Sequence, residues 1–507
     1  MKKIVAIFIF IVTLLPNICA REILPNICSQ ANNKNLAIEN EPIDLVYKYI
    51  DLTDGNLHRG DIPVCKKDYD NEEFKYSMRS VLKNIPWVRK IFVIMPNEKV
   101  KFLKDQEEIS DKIIYIKDKD LLGFDSASSI SFEFHFWKLK DFGCSENFIY
   151  MNDDYFIGKP LKKSDFFYVN KEGKVVPYAL YGKNINYGQY NKVRNYWNRL
   201  RENIKSTSPH SSNGFRYQRM STFMFLYDDV FGRDMKAPSE CLEYFPHNAL
   251  GENLTELKEL YDLVRDKYEY AVDCVFSRFR KNKQLQHQTL YCFYFINKKG
   301  CNKKIGNIAG TYYDIKDVSN ARFNDSLYCI NTGGNVNYTD TDYIKAKIKM
   351  AQLFPKRTKY EKPEIEDGTY TIVSKLGNNK CLDVEGACGE NGINVHLFDG
   401  NGSDAQKFYI KYNAHDGLYT ITPRCSGKSL DVAGAENRLG ANVWQYEHNE
   451  SDAQKWYIVP DRHGWFHIVS KCNNLAVYVN GANTENWTNI QCWEINGTDA
   501  QKFKLVK

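Results

Sequence analysis

Ser403-Asp404-Ala405-Gln406-Lys407-Phe408 returns as Ser451-Asp452-Ala453-Gln454-Lys455-Trp456 and again as Thr498-Asp499-Ala500-Gln501-Lys502-Phe503. The glutamines recur every 47 or 48 residues, and self-similarity at a fixed period of that size marks a repeat architecture. Each ending has a matching opening upstream at the same spacing: Leu382-Asp383-Val384-Glu385-Gly386, Leu430-Asp431-Val432-Ala433-Gly434 and Val477-Tyr478-Val479-Asn480-Gly481. Short alternating runs such as Tyr370-Thr371-Ile372-Val373 and Trp465-Phe466-His467-Ile468-Val469 sit between Gly and Asn turns, which predicts strands throughout.

Three such all-β units close into a β-trefoil. On the three openings and endings, residues 367–507 resemble the ricin B lectin family, whose units end in Gln-x-Trp. Sugar binding needs a carboxylate or amide for the hydroxyls and an aromatic face for the ring. Asp383 with Phe398 and Asp431 with Tyr446 meet that need in the first two units; in the third, Tyr478 replaces the Asp while Trp493 keeps the aromatic. Where the family has Asn before the Gln, this chain has Ala405, Ala453 and Ala500. Gln406, Gln454 and Gln501 are expected to be core residues rather than sugar contacts.

Upstream, residues 355–366 carry Pro355, Pro363 and many charges and read as a linker. From about residue 41 to 354 the texture changes. Apolar runs at Ile43 to Ile50, Lys90 to Met95, Ile113 to Ile116 and Asn147 to Met151 alternate with polar or helical stretches, which predicts an α/β domain with a mainly parallel sheet. One helix places Phe74, Met78, Val81 and Leu82 on its apolar face, with Glu72, Lys75, Tyr76 and Arg79 off it. A second opens on Asn253 with Glu256 three residues later and aligns Leu254, Leu257, Tyr261 and Val264.

The chemistry concentrates in Phe148-Ile149-Tyr150-Met151-Asn152-Asp153-Asp154-Tyr155-Phe156. An apolar strand that runs into two carboxylates sets acids at a strand's carboxyl end, where open α/β sheets bind ligands. A divalent cation bridging diphosphate oxygens takes one or two carboxylates and lets substrate phosphates complete its shell. Asp153 and Asp154 could supply that pair; the plainer alternative is a solvated turn or a helix cap.

The stretch Ile43 to Asp54, the run Tyr76-Ser77-Met78-Arg79-Ser80 leading to Ile85-Pro86-Trp87-Val88-Arg89-Lys90-Ile91, and Tyr150 to Asp154 follow one another in the order of the Stealth family. That family holds bacterial capsule polysaccharide phosphotransferases and the α/β subunit of N-acetylglucosamine-1-phosphotransferase. Phe245-Pro246-His247-Asn248 with Arg278-Phe279-Arg280, and Tyr328-Cys329-Ile330-Asn331, resemble its later blocks. Tyr49 stands where the family usually has Trp, Leu52-Thr53 replace Gly-Ser, and Thr332 stands where an acidic residue often follows Asn.

The resemblance implies transfer of a sugar-1-phosphate from a nucleotide diphospho-sugar of the UDP-GlcNAc kind to a sugar hydroxyl of a glycan or glycoprotein. Such a reaction needs positioning, charge neutralisation and a proton acceptor. It assigns Asp153 and Asp154 to a divalent cation, Mg2+ or Mn2+, and Arg79 and Arg280 to phosphate. It makes His247 the base or a phosphate contact, sets Asp51 and Asp54 against the donor or the metal, and places Asn331 in the last block. A glycosyltransferase moving the sugar without phosphate, and a secreted lectin or adhesin with an inactive transferase domain, are the competing readings.

The whole chain of 507 residues, 43% hydrophobic, is ample for two or three cores. Its formal charge of +6, with 69 Lys plus Arg against 63 Asp plus Glu and no long basic block, argues against nucleic acid as a partner. Residues 1–20 have the parts of a signal peptide: Lys2-Lys3, an apolar run from Ile4 to Leu15, Pro16 and Ala20. The expected location is therefore the secretory lumen or outside the cell, with membrane contact only if that segment is retained as an anchor. The 14 cysteines lose Cys19 with the leader, which leaves an odd number and at least one thiol unpaired within the chain. No Cys-x-x-Cys pair or Cys/His cluster at zinc spacing is present. Sequons at Asn253, Asn324, Asn337, Asn401, Asn449, Asn486 and Asn496 would be surface glycosylation sites in a eukaryotic host.

Overall fold

The structure is a computed structural model that describes residues 32–51, 58–59, 62–63, 72–181, 212–231, 249–267, 274–279, 284–301, 303–306, 308, 310–332 and 337–507. The expected signal peptide and the site candidates Asp54, His247 and Arg280 lie outside the described residues.

Strands β1 (Ile43–Lys48), β2 (Ile91–Met95), β3 (Ile113–Lys117) and β4 (Asn147–Asn152) form the parallel part of a five-stranded sheet ordered β4-β1-β2-β3. An edge strand, Leu250–Asn253, pairs antiparallel with β4. The expected mainly parallel sheet is thus observed, with one antiparallel edge. Its central strands read as unbroken apolar runs because both faces are covered: helix α1 (Glu73–Asn84) sets Phe74 against Tyr47 and Tyr49, while Phe136 packs on Tyr150 from the other side. The helix that begins at Leu254 starts as its sequence requires, the Asn253 side chain accepting the Glu256 N–H at 3.1 Å, with Leu254, Leu257, Tyr261 and Val264 buried.

After β4 the chain makes a two-residue turn at Asp153-Asp154 and enters β5 (Tyr155–Ile157), the edge of a second, three-stranded sheet. There β5 runs antiparallel to β6 (Leu327–Asn331), which pairs in parallel with Gly310–Asp314. The acid pair is therefore the hinge between two sheets.

Residues 368–507 build the trefoil from twelve hydrogen-bonded strands. Each unit buries one aromatic from its ending, Phe408, Trp456 or Phe503. The three glutamines are fully buried and pin the loop before them. Gln406 accepts from Asn401 N and donates to Asp399 O, Gln454 accepts from Asn449 N and donates to Glu447 O, and Gln501 accepts from Asn496 N and donates to Glu494 O. They are core residues, as expected. At the pseudo-threefold axis the Asn394 amide donates to Asn489, Asn489 to Asn442 and Asn442 back to Asn394, all at 2.9 to 3.0 Å.

The stretch 355–366 differs from a flexible tether. Its backbone pairs with the α/β domain (Lys104 N to Tyr360 O 2.9 Å, Lys362 N to Phe102 O 2.8 Å), and Arg357 lies over the Tyr412 ring at 3.5 Å from its centre. Gly417, with φ +82°, lets the trefoil approach this strap so closely that a Cβ there would meet the Pro355 carbonyl carbon at 2.5 Å. Helix α2 (Asp340–Leu353) adds Tyr343, Ile344 and Ile348 to a shared apolar cluster with Leu418, Tyr457 and Val459 of the trefoil. The ten described cysteines are free thiols, and no described helix is long and apolar enough to cross a membrane.

Candidate functional site

The parallel strands deliver their carboxyl ends side by side, Lys48 opposite Asn152 in register. Asp153 is half-buried and Asp154 buried. One Asp154 oxygen accepts the Asn331 amide at 2.6 Å and the Cys329 thiol at 3.2 Å, and the Ile330 N–H caps the Asp154 carbonyl at 3.0 Å. Burial, reinforced by Asp154, pushes the Cys329 thiol well above its usual range, so it stays protonated and remains a donor. The other oxygen, Oδ1, is buried and has no hydrogen-bond partner among the described residues. Buried polar atoms are nearly always satisfied, so an orphaned one at a ligand-binding edge points to a missing partner. Asn331 is itself oriented, its carbonyl oxygen accepting the Thr332 N–H at 2.6 Å.

A second polar group lines the same strand ends on the opposite face from Tyr47. Tyr150 Oη contacts Glu133 at 3.0 Å and Asn152 at 2.8 Å, and Lys48 Nζ reaches Glu133 at 3.4 Å. Behind it lie Glu252 and His287, both fully buried and 3.8 Å apart. Burial, helped by the nearby Glu133 and Glu256, holds the Glu252 carboxyl well above the usual range. Burial also lowers His287 to about 4; Glu133 opposes that shift and Lys48 adds to it. Lys48, Glu252 and His287 were not singled out by sequence reasoning; the available signals were a lysine interrupting the apolar β1 run and a glutamate inside the strand at 250–253.

Two expected site residues are committed elsewhere. Arg79 is buried and forks onto Glu361, with Nε 3.0 Å and Nη2 2.6 Å from the carboxylate, while its Nη1 donates to the Phe354 carbonyl at 3.0 Å and the Pro355 carbonyl at 3.2 Å. Its role as a phosphate fork is replaced by a structural one, clamping the 355–366 strap. Asp51 is buried, with Lys101 2.8 Å from its carboxylate and Asn97 accepting its N–H. Among the described residues no group of three His, Cys, Asp or Glu is arranged to hold a metal ion. The donor set at the turn, hard carboxylate oxygens from Asp153 and Asp154 with Asn331 orienting the second, suits a cation that draws its other ligands from phosphate and water. A cavity of about 770 Å3 opens at the other end of β4, lined by Asn147, Asn253, Glu256 and Lys303, and is separate from this turn.

In the trefoil, Asp383 faces His396 across its hairpin, Asp431 faces Trp444 and Tyr478 faces Gln491. Burial raises both Asp383 and Asp431; Gln406 and His396 counter this for the first, Trp444 and Gln454 for the second. Phe398, Tyr446 and Trp493 are each half-buried. Tyr446 stacks on Trp444, and Trp493 on Tyr478.

Fold and site together describe an α/β domain with an acid turn at the carboxyl edge of its parallel strands, fused to a β-trefoil. Residues 67–175 match the model of Stealth protein CR2, conserved region 2, and residues 357–446 and 404–493 match the ricin-type beta-trefoil lectin domain-like model. A capsular polysaccharide phosphotransferase of Neisseria meningitidis serogroup B is 32% identical over 148 residues, covering 26% of this chain and 39% of that protein. The capsular polysaccharide phosphotransferase cps1A of Actinobacillus pleuropneumoniae is 38% identical over 104 residues, 20% of this chain and 28% of that protein. The Homo sapiens N-acetylglucosamine-1-phosphotransferase subunits alpha/beta are 29% identical over 153 residues, 29% of this chain and 12% of theirs. The chain thus spans well under half the length of these relatives. Among solved structures, the designed three-fold symmetric protein ThreeFoil is 35% identical over 28% of this chain and 99% of its own, at a TM-score of 0.27.

Proposed function

We propose that the chain transfers a sugar-1-phosphate from a nucleotide diphospho-sugar of the UDP-GlcNAc kind to a sugar hydroxyl on a glycan or glycoprotein, in the secretory lumen or outside the cell, with Mg2+ or Mn2+ at Asp153-Asp154. The observation that carries this reading is the buried Asp154 carboxylate, one oxygen held by Asn331 and Cys329 and the other unpartnered, at the carboxyl edge of a parallel sheet. The match of residues 67–175, which include this turn, to the Stealth CR2 model and the likeness of part of the chain to named phosphotransferases support it.

A divalent cation bound there would neutralise diphosphate charge as the phosphorus–oxygen bond to the leaving nucleotide breaks. The chain's own residues would do the rest. Asn331 and the protonated Cys329 fix the Asp154 rotamer, so that its free oxygen need not reorganise when a ligand arrives. Lys48 lies at the adjacent strand end, with Glu133 already beside it. Arg280 is assigned to phosphate, His247 to the acceptor proton or to phosphate, and Asp54 to the donor or the metal. Asp51, paired with Lys101, would hold the end of β1 in place for them. The trefoil would bind glycan near the acceptor.

Phosphorus NMR of products from a panel of nucleotide sugars tests the reading. A new phosphodiester with release of nucleoside monophosphate is expected; nucleoside diphosphate release would instead establish a glycosyltransferase, and no turnover with either metal would leave only the lectin reading.

A further inference from the structure

The trefoil's pseudo-symmetry exposes one position where the three units disagree. Gly392, Gly440 and Trp487 are equivalent: their N–H groups donate to the carbonyls of Gln445, Cys492 and Leu397, each at 2.9 Å, and each therefore abuts the sugar-site hairpin of another unit. All three have left-handed backbone, φ +77°, +78° and +71°. Two units use the residue that such a conformation favours; the third places there a tryptophan, for which it is a genuine outlier. Bulky side chains persist in strained backbone where function requires them. This one is also 60% exposed, so burial of the indole does not account for it.

Trp487 projects over the first unit's site. Its ring lies 4.6 Å from the His396 ring and 5.2 Å from Phe398, edge-on to the latter. In the other two units the corresponding glycines bring no side chain of their own; the nearest atoms belong to Trp444 at Gly392, and to Gln491, Trp493 and Arg438 at Gly440.

The polar floor of the three sites differs independently. In the second unit the Trp444 indole N–H donates to Asp431 at 2.8 Å and occupies that carboxylate oxygen. In the third, Gln491 donates to Asn480 at 3.2 Å and no acid faces it. In the first, His396 is 1% exposed, its Nε2 has no hydrogen-bond partner among the described residues, and Asp383 lies 3.5 Å away, beyond hydrogen-bonding geometry. A buried nitrogen left open beside a carboxylate is built to be completed by a ligand.

Resting on the reading of the trefoil as a glycan binder, we infer that its principal sugar site is in the first unit and that Trp487, contributed by the third, is the stacking platform for the pyranose ring, with Asp383 and His396 receiving its hydroxyls. A sugar's apolar C–H face suits an aromatic surface, while adjacent hydroxyls supply donors and acceptors to the carboxylate and imidazole.

The test titrates galactose, N-acetylgalactosamine, N-acetylglucosamine and lactose into the full chain by calorimetry, for wild type, Trp487→Gly, Asp383→Ala and Asp431→Ala. Trp487→Gly installs the residue the other two units carry and relieves the backbone, so it should fold with an unchanged or higher melting temperature. It should bind the best of these sugars at least tenfold more weakly and lose the sugar-induced shift in indole fluorescence. Asp383→Ala should bind as poorly, and Asp431→Ala like wild type. Wild-type affinity in Trp487→Gly alongside loss in Asp383→Ala would overturn the platform alone. Loss confined to Asp431→Ala would overturn the choice of unit. Failure of wild type to bind any of the four would overturn the glycan reading itself, and this inference with it.

Discussion

In the trefoil, residues 47 or 48 apart occupy equivalent positions, and each glutamine, each axial asparagine and each hairpin pair is positioned by its own repeat and its neighbours in the repeat array. In the α/β domain the acid turn is completed by Asn331, 177 residues downstream, and α1 is clamped by Glu361, 282 residues from Arg79. Repetition supplies an internal control that a single-copy site lacks: when Trp487 departs from two glycines, the departure itself is information. At the acid turn the only controls are burial and unmet hydrogen bonds.

The largest effect should fall on the single-copy site. Asp154→Asn keeps the side chain's shape but removes the charge that a cation needs, and should lower turnover by about three orders of magnitude or more. Melting should stay close to wild type by calorimetry. Retention of most activity with the same metal requirement would show that the turn is only a joint between the two sheets. Asn331→Ala should act more mildly, because it frees the Asp154 rotamer without removing a ligand oxygen, and a weakened apparent metal affinity at saturating donor is the readout that separates positioning from chemistry.

Next in size is the strap. Breaking a buried ion pair by removing one partner costs about 3–5 kcal/mol, whereas replacing both with apolar residues is often close to neutral. Arg79→Ala should therefore destabilise the chain by that order in urea melts, and Arg79→Met combined with Glu361→Leu should recover most of it. A chain ending at Phe354 would strand Arg79 and Lys75 without Glu361 and Glu364, and is expected to aggregate rather than to survive as an independent enzyme. If it stayed soluble and active, the strap would be a dispensable tether after all.

Why the strap escaped sequence reading follows from α1 itself. Its pattern shows one apolar face, Phe74, Met78 and Val81, and that face does pack on the sheet; Lys75, Tyr76 and Arg79 read as solvent-facing. They are buried because α2 and residues 355–366 cover the second face, bringing Lys347 and Glu364 to Glu72 and Lys75. Charges can be buried when paired, so polarity alone cannot show exposure when the partner is nearly 300 residues away. The parallel sheet, the acid pair and the trefoil were legible because each is local: an apolar run, a strand end, a period. Lys48 and Glu133 were not joined, and Glu252 and His287 not noticed, since their meeting depends on how the edge strand pairs with β4.

Acid should bring out a further difference. His467, fully buried in the trefoil, and His135, buried beneath the α/β sheet, are each lowered to about 4 by burial, partly opposed by Asp461 for the first and by the Ser131 carbonyl for the second. A base whose folded pKa lies below its unfolded value near 6.5 leaves the unfolded chain binding more protons between those values, so stability is lost as pH falls from about 6.5 towards 4. The loss should approach about 3 kcal/mol for His467, which no described hydrogen bond holds in place. His467→Leu should flatten that part of the pH–stability curve. An unchanged slope in the variant would mean that His467 does not carry the linkage.

The smallest expected effect bears most directly on the trefoil's symmetry. Asn394, Asn442 and Asn489 pass one hydrogen bond to each other around the axis, and all three are half-buried. Replacing any one with Ala removes two bonds and leaves one neighbour's carbonyl and another's amide for water to satisfy. Since a neutral hydrogen bond is worth about 1 kcal/mol net and these groups stay partly accessible, each variant should lose about 1 kcal/mol. The three losses should agree to within about 0.5 kcal/mol, because a closed ring has no end member. Denaturant melts of the single variants, together with the Asn394→Ala/Asn442→Ala pair, decide the matter. In a ring the second substitution breaks only one further bond, so the pair should cost less than the sum of its singles. Strict additivity, or one position costing several times the others, would mean that the amides act separately and that the symmetry of the sequence does not extend to energetics.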